Sequence, residues 1–262
     1  SRYTTTATAP KPSAAAKENP FVNTLGMKFV PVKGTEVLFS IWHTRVQDFE
    51  AFVKATGHDA TQGMYSLRSD GWMRRGDTWK DPGFTQGPTH PVCGVSWHDA
   101  QAFCKWLTEK ERKDGIIDQQ QSYRLPTDAE WSQAVGDTKY PWGDQWPPPQ
   151  GAGNYADESS AVNPKKQGTS PVGSFRENKF GLYDLGGNLW GWCEDSYRAD
   201  MNTRAFPADA NDGGGRVYRV LRGASWFDSN PYYLLSSHRG HNPPGTRNGL
   251  DGFRCVLVGS SR

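Results

Sequence analysis

Hydrophobic residues recur at helical spacing in three stretches of the chain. Thr44 to Gly57 (TRVQDFEAFVKATG) places Val46, Phe49, Phe52 and Val53 on one stripe, with Thr44 and Gln47 spaced as a capping box. Ser96 to Gly115 (SWHDAQAFCKWLTEKERKDG) puts Ala100, Phe103, Cys104 and Leu107 on one face and stops at a glycine; its charges from Glu109 to Lys113 read as a solvated last turn. Thr127 to Gly136 (TDAEWSQAVG) carries a second capping box, Thr127 with Glu130, and turns Trp131, Ala134 and Val135 inward. Other regular elements are short. Residues 216–226 (RVYRVLRGASW) alternate as a strand, and 252–258 (GFRCVLV) read as a last, largely buried one. Prolines and glycines across 137–180, including Pro147 to Pro149, exclude a long element there. The first 20 residues are rich in Thr, Ala, Pro, Ser and Lys without periodicity, so they predict a flexible leader or stalk. Structure is expected to begin near Phe21 and to form one α+β domain over 21–262, with few helices, many short antiparallel strands and long loops.

Composition narrows the classes of function. The chain has 262 residues with Lys+Arg 30 against Asp+Glu 28, so no strong field points to nucleic acid or to a membrane surface. Mean hydropathy is −0.76, and no apolar run approaches the ~18 residues of a membrane helix. Gly 29, Pro 18 and Trp 11 suit a loop-rich fold better than a coiled coil or a doubly wound nucleotide fold. Ser1 in place of Met reads as a processed or engineered start. Cys93, Cys104, Cys193 and Cys255 are dispersed, which fits two disulfides in an oxidising compartment or four buried thiols. Walker, G-x-S-x-G and H-E-x-x-H motifs are absent.

Six strings are more specific: HPVCGVSWHDAQAFCKWL (90–107), YRLPTDAEWSQAV (123–135), YPWGDQW (140–146), FGLYDLGGNLWGWCED (180–195), RVLRGASW (219–226) and GFRC (252–255). In this order they closely resemble the formylglycine-generating-enzyme family, a branch of the C-type-lectin fold, over nearly all of 21–258. Trp131 is expected in the core, Trp190 and Trp192 on one strand, and Arg254 inside the protein, bonded to backbone carbonyls or a carboxylate. The resemblance implies a Cys104–Cys255 disulfide and leaves Cys93 with Cys193 for a second pair. The family's enzymes use two thiols shortly after the RGxSW-like strand, because a thiolate must bind the metal and activate oxygen. The matching stretch Phe227 to Asp251 holds no cysteine, and the two positions fall near Tyr233 and His238. Asn154 and Asn188 match the family's calcium-ligating side chains. Gly191 stands where the W-E-W pattern has its carboxylate, however, and Pro164 to Lys166 replace an acidic turn, so tight calcium binding is not expected. An iron-binding branch uses histidines; of His43, His58, His90, His98, His238 and His241, only the last two are closely spaced. No metal or cofactor is therefore expected.

A third branch, the variable proteins of diversity-generating retroelements, carries a C-terminal segment rewritten by adenine-specific mutagenesis. Arg219 to Arg254, opened by RGASW and closed by GFR, resembles such a segment. Adenine rewriting of Asn codons never yields Lys, Glu, Gln, Met or Trp, and residues 227–251 contain none of them; chance absence at this chain's composition is about one in a hundred. The stretch contains Phe, Tyr, His, Asn, Asp, Ser, Thr and Gly, which is also the mixture of antibody paratopes. The resemblance implies a non-catalytic, cell-surface ligand-binding protein. It would be an outer-membrane lipoprotein held by an N-terminal lipid anchor absent from this chain, with a variable extracellular protein or glycan as partner and no nucleic acid. The alternative is a formylglycine-generating-type or iron-dependent oxidase acting on thiols. Phe227, Asp228, Tyr232, Tyr233, His238, Gly240, His241, Asn242, Thr246, Asn248, Leu250 and Asp251 are expected to form the exposed ligand face. Leu234, Arg239, Arg247 and Gly252 are expected to hold its loops.

Overall fold

A computed structural model of the chain describes residues 10–156, 168–198 and 217–259. Its strands are β1 (Phe21–Val22), β2 (Lys28–Pro31), β3 (Leu38–Ser40), β4 (Met64–Arg68), β5 (Gly71–Arg75), β6 (Ser122–Arg124), β7 (Trp190–Ser196), β8 (Arg219–Arg222), β9 (Gly240–Asn242), β10 (Asp251–Gly252) and β11 (Val256–Val258). The helices are α1 (Val46–Thr56), α2 (Trp97–Lys113) and α3 (Asp128–Val135). One sheet runs β1-β2-β3-β11-β6, a second β10-β7-β8-β9, and β4 with β5 makes a separate hairpin. All pairings are antiparallel except β10 on β7.

The helices form where the sequence predicts them, with one shift. Ser96 and Thr127 cap α2 and α3 by accepting from the backbone N–H of Asp99 and Glu130. In α1 the cap moves by one residue: Asp48 accepts from the Arg45 backbone N–H at 2.9 Å and also binds its guanidinium. Thr44 cannot serve, because its backbone is committed to Phe253 and Val92 on either side. Ala100, Phe103, Cys104 and Leu107 of α2 are all buried. Phe49, Phe52, Phe103 and Phe253 interlock with ring centroids 5.4–6.5 Å apart, joining α1 and α2 to the last part of the chain. The solvated last turn of α2 has an exception in Glu111, which is buried and accepts from the Thr24 backbone N–H at 3.1 Å.

The predicted strand over 216–226 is only four residues long, since Gly223 and Ala224 turn to φ +101° and +63°; residue 216 lies outside the described residues. The strand predicted over 252–258 divides in two. Its first part pairs with β7 in the second sheet, and its last with β3 and β6 in the first. Between them Phe253, Arg254 and Cys255 are buried, and Arg254 donates to the carbonyls of Ser40, Tyr183 and Asp184. The chain is already packed before Phe21: Pro12–Ala14 form a 3-10 turn with Pro12 buried, and Lys17 pairs with Glu177 at 2.8 Å. The first nine residues of the expected leader lie outside the described residues.

Cys104 and Cys255 do come together, with sulfurs 3.6 Å apart, but as thiols in contact and not as the expected disulfide. Cys93 and Cys193 are also buried free thiols and do not pair. Cys104 of α2 and Cys255, just before β11, meet in this core and fill it as small apolar groups.

Candidate functional site: an aromatic cavity on the second sheet

The site is built outward from β8. Arg222, the arginine of RGASW, is 1% exposed; it ion-pairs with Asp128 at the start of α3 and donates to the Ser236 carbonyl at 2.7 Å. Arg239 binds the other oxygen of the same carboxylate at 2.9 Å. One buried acid thus fastens both the strand and the loop that leaves it. At the far end Arg247 grips Asp99 of α2 with two bonds of 2.8 and 2.9 Å. Leu234 is buried, and a Cβ on Gly252 would meet the Val92 carbonyl at 2.6 Å. The residues expected to hold the loops are therefore anchored in the scaffold.

Between these anchors lies a cavity of ≈ 420 Å³. Ten of the twelve residues expected on the ligand face line it; Phe227 and Thr246 do not. Phe227 is exposed and stacks on Trp72 of the β4–β5 hairpin at 5.8 Å, while Thr246 closes a turn onto the Pro243 carbonyl. Two members correct the expectation of exposure: Asp251 is 1% and His238 9% exposed, because β10 turns into the sheet and the rings of Tyr232, Tyr233 and Trp190 surround His238 at 4.8–5.9 Å. Trp190 and Tyr197 from β7 and its end, with Leu221 from β8, complete the wall. His241 stacks on Tyr197 at 4.0 Å.

The sequence reading missed these wall residues and the hairpin. Tyr65 bonds both ways with the 247–249 segment, accepting from Gly249 and donating to Arg247. Ser69-Asp70-Gly71 between two alternating runs was the available hairpin signal.

Burial sets the charges. His238 is pushed down to about 4 by burial and by the nearby Arg222 and Arg239 cations, so it is neutral at pH 7. Among the described residues its Nδ1 has no hydrogen-bond partner. Burial pushes Asp251 up to about 7, against the hydrogen bond from Asn242 and helped by the neighbouring Asp228. Asp228 is also raised by burial, although Ser225 and the Trp190 indole donate to it.

The donor set does not fit thiolate chemistry. Tyr233 and His238, near which the resemblance implies the family's two thiols, face each other across 5.2 Å, and no cysteine lines the cavity. Burial raises the thiols of Cys93, to about 12, and of Cys193. The positions for which the resemblance implies calcium ligands are also engaged otherwise: Asn188 Oδ1 accepts from Ser170 N and Asn154 Nδ2, and a Cβ on Gly191 would already lie in contact with His43 Nε2 at 3.7 Å. Pro164 to Lys166 lie outside the described residues. Among the described residues, no three His, Cys, Asp or Glu side chains are grouped to hold a metal ion, and no helix is long and apolar enough to cross a membrane.

Comparison with known proteins agrees with this scaffold. Residues 28–258 match the sulfatase-modifying factor enzyme 1-like domain. The chain is 31% identical over 249 residues to a formylglycine-generating enzyme of Streptomyces coelicolor, covering 79% of this chain and 74% of that protein. It is 33% identical over 217 residues to the inactive C-alpha-formylglycine-generating enzyme 2 of Bos taurus, covering 75% and 61% respectively. In structure it is similar to Treponema denticola variable protein 1, with a TM-score of 0.61 at 23% identity over 89% of this chain and 97% of the other. With three α-helices among the described residues, mostly antiparallel strands and a C-type-lectin-like core, the chain belongs to the sulfatase-modifying-factor, or formylglycine-generating-enzyme, domain family.

Proposed function

We propose that this protein is a non-catalytic binder that displays residues 227–251 as a diversified ligand-binding face at the cell surface. The observation that carries this reading is the absence of any thiol from a cavity whose wall holds ten of the twelve expected face residues. Supporting it, the arginines that hold the loops are bonded to Asp128 and Asp99 in the helices, so the face can change while its mounting stays. Tyr and His rings supply contact area with few torsions to freeze, and Asn, Ser and Gly supply adaptable hydrogen bonds. The similarity to a variable protein is one of fold, and fold alone does not fix function. Segment composition adds to it: residues 227–251 hold only amino acids that adenine rewriting can produce. The ligand is an extracellular protein or glycan, and attachment through an N-terminal lipid is part of the same proposal.

Copper and a sulfatase-type cysteine peptide are added, and formylglycine is assayed by mass spectrometry. No turnover is expected, and turnover defeats the reading. In parallel, a 227–251 segment changed at its face positions but keeping Leu234, Arg239 and Arg247 is grafted between unchanged flanks. The melting temperature is expected to stay within a few degrees while the bound target changes; collapse of the fold makes the segment core.

A further inference from the structure

Among the described residues the cavity holds two carboxylates and no cation matched to them. Asp251 is 1% exposed, and its Oδ2 accepts from the Asn242 amide at 2.6 Å. Asp228 accepts from Ser225 N, Ser225 Oγ and Trp190 Nε1 at 2.6–2.9 Å. Among the described residues neither forms an ion pair with Lys, Arg or His. The guanidinium on the cavity wall, Arg239, is turned onto Asp128. A buried carboxylate with no countercharge is costly, and a cation entering from outside relieves that cost. The remaining walls suit such a guest, because Trp190, Tyr232 and Tyr233 present aromatic rings, which attract ammonium groups.

We propose that this cavity binds an alkylammonium group, with Asp251 and Asp228 as its countercharges and the aromatic rings as its walls. The inference rests on the binding-face reading above and names the chemistry that face takes. A volume of ≈ 420 Å³ is ample for such a group and its alkyl stem. The group arrives either on a lysine side chain of a protein ligand or on a free amine. An anion is disfavoured by both carboxylates, and a neutral sugar leaves them uncompensated.

Asp251, raised to about 7, is the carboxylate of the site whose charge is gained between about pH 6 and pH 8. His238 and His241 are both held below the usual histidine range, first by burial, and stay neutral at pH 7. The Cys93 thiol, raised partly by Asp251, is protonated. Arg222 and Arg239 share Asp128, and Asp228 keeps its hydrogen bonds. Ammonium binding requires the ionised Asp251 carboxylate, so affinity falls about tenfold for each pH unit well below its pKa of about 7.

The test titrates the full chain with Nα-acetyl-L-lysine methylamide and with its uncharged isostere, Nα-acetyl-L-norleucine methylamide, following aromatic NMR resonances at pH 8 and pH 5. The lysine probe is expected to bind at least tenfold more tightly than the norleucine probe at pH 8, and to weaken about 100-fold at pH 5. Asp251→Asn is expected to remove most of the affinity for the lysine probe. Asp228→Asn gives an independent reading if the first variant folds poorly. Butylammonium at equal affinity points to a free amine, and preference for the lysine probe points to a protein ligand; either supports the proposal. Equal binding of the norleucine probe overturns it, as does binding of the lysine probe unchanged in both variants, or a methyl glycoside that occupies the cavity regardless of Asp251. Grafted segments that bind their targets while no ammonium probe binds here defeat the cation and leave the binding face standing. Collapse of the grafted protein defeats both.

Discussion

Asp251 trades stability for charge at one atom group. Its carboxyl is raised by burial to about 7, well above its value in an unfolded chain, so the folded state binds more protons than the unfolded one between about pH 4 and 7. The associated stability is present below pH 4 and is lost as pH rises through 7. Asp251→Asn is therefore expected to raise the melting temperature at pH 8, by an amount equivalent to about 1–3 kcal/mol, and to leave it unchanged at pH 3.5; thermal melts at the two pH values check this. Asp128 is the opposite case, a buried acid with two arginine partners. Asp128→Ala strands the Arg222 guanidinium in the core and is expected to cost about 3–5 kcal/mol in urea unfolding, whereas Asp128→Asn keeps part of the hydrogen bonding and costs less. Neither role was legible in the sequence. Asp128 lies 94 and 111 residues from the arginines it holds, and no local spacing encodes that meeting.

At the scale of elements, what could be read locally was read well. Capped helices with an apolar stripe declare themselves within a dozen residues, and α2 and α3 follow their signals closely. The cap of α1 slipped because Thr44 is engaged by tertiary contacts, and the last strand divided because its two halves serve different sheets. The cavity was half legible: its loop residues sit in one run of sequence, but Trp190, Tyr197 and Leu221 join them only once β7, β8 and β9 pair. The β4–β5 hairpin extends the same face through Trp72 on Phe227. Trp72→Ala removes a ring contact worth about 0.5–1.5 kcal/mol. Amide hydrogen exchange over 228–233 is expected to quicken, while protection in β7 and β8 holds; quickening of the strands as well would mean that the hairpin supports the core.

For the whole molecule, acid stability is governed by the acids that clamp the loops to the helices. Burial works to raise Asp99 and Asp128, but Arg247 on the first, with Arg222 and Arg239 on the second, hold both below the usual carboxylate range. Stability from these pairs is full above the unfolded value near pH 4 and is lost as pH falls through their depressed folded values. A steep loss of melting temperature is expected below pH 4, and Arg247→Met should flatten part of that limb. The pairing of β8 and β10 with β7 has a further result. Because residues 227–251 leave β8 and return through β10, their ends are pinned at a fixed separation by two strands of one sheet, paired on either side of β7. Closing such a span costs entropy that grows only logarithmically with the number of links, about 0.6 kcal/mol per doubling. Insertions of several residues near the Pro243–Gly245 tip should thus be accommodated as readily as substitutions, with the melting temperature as the measurement that checks it.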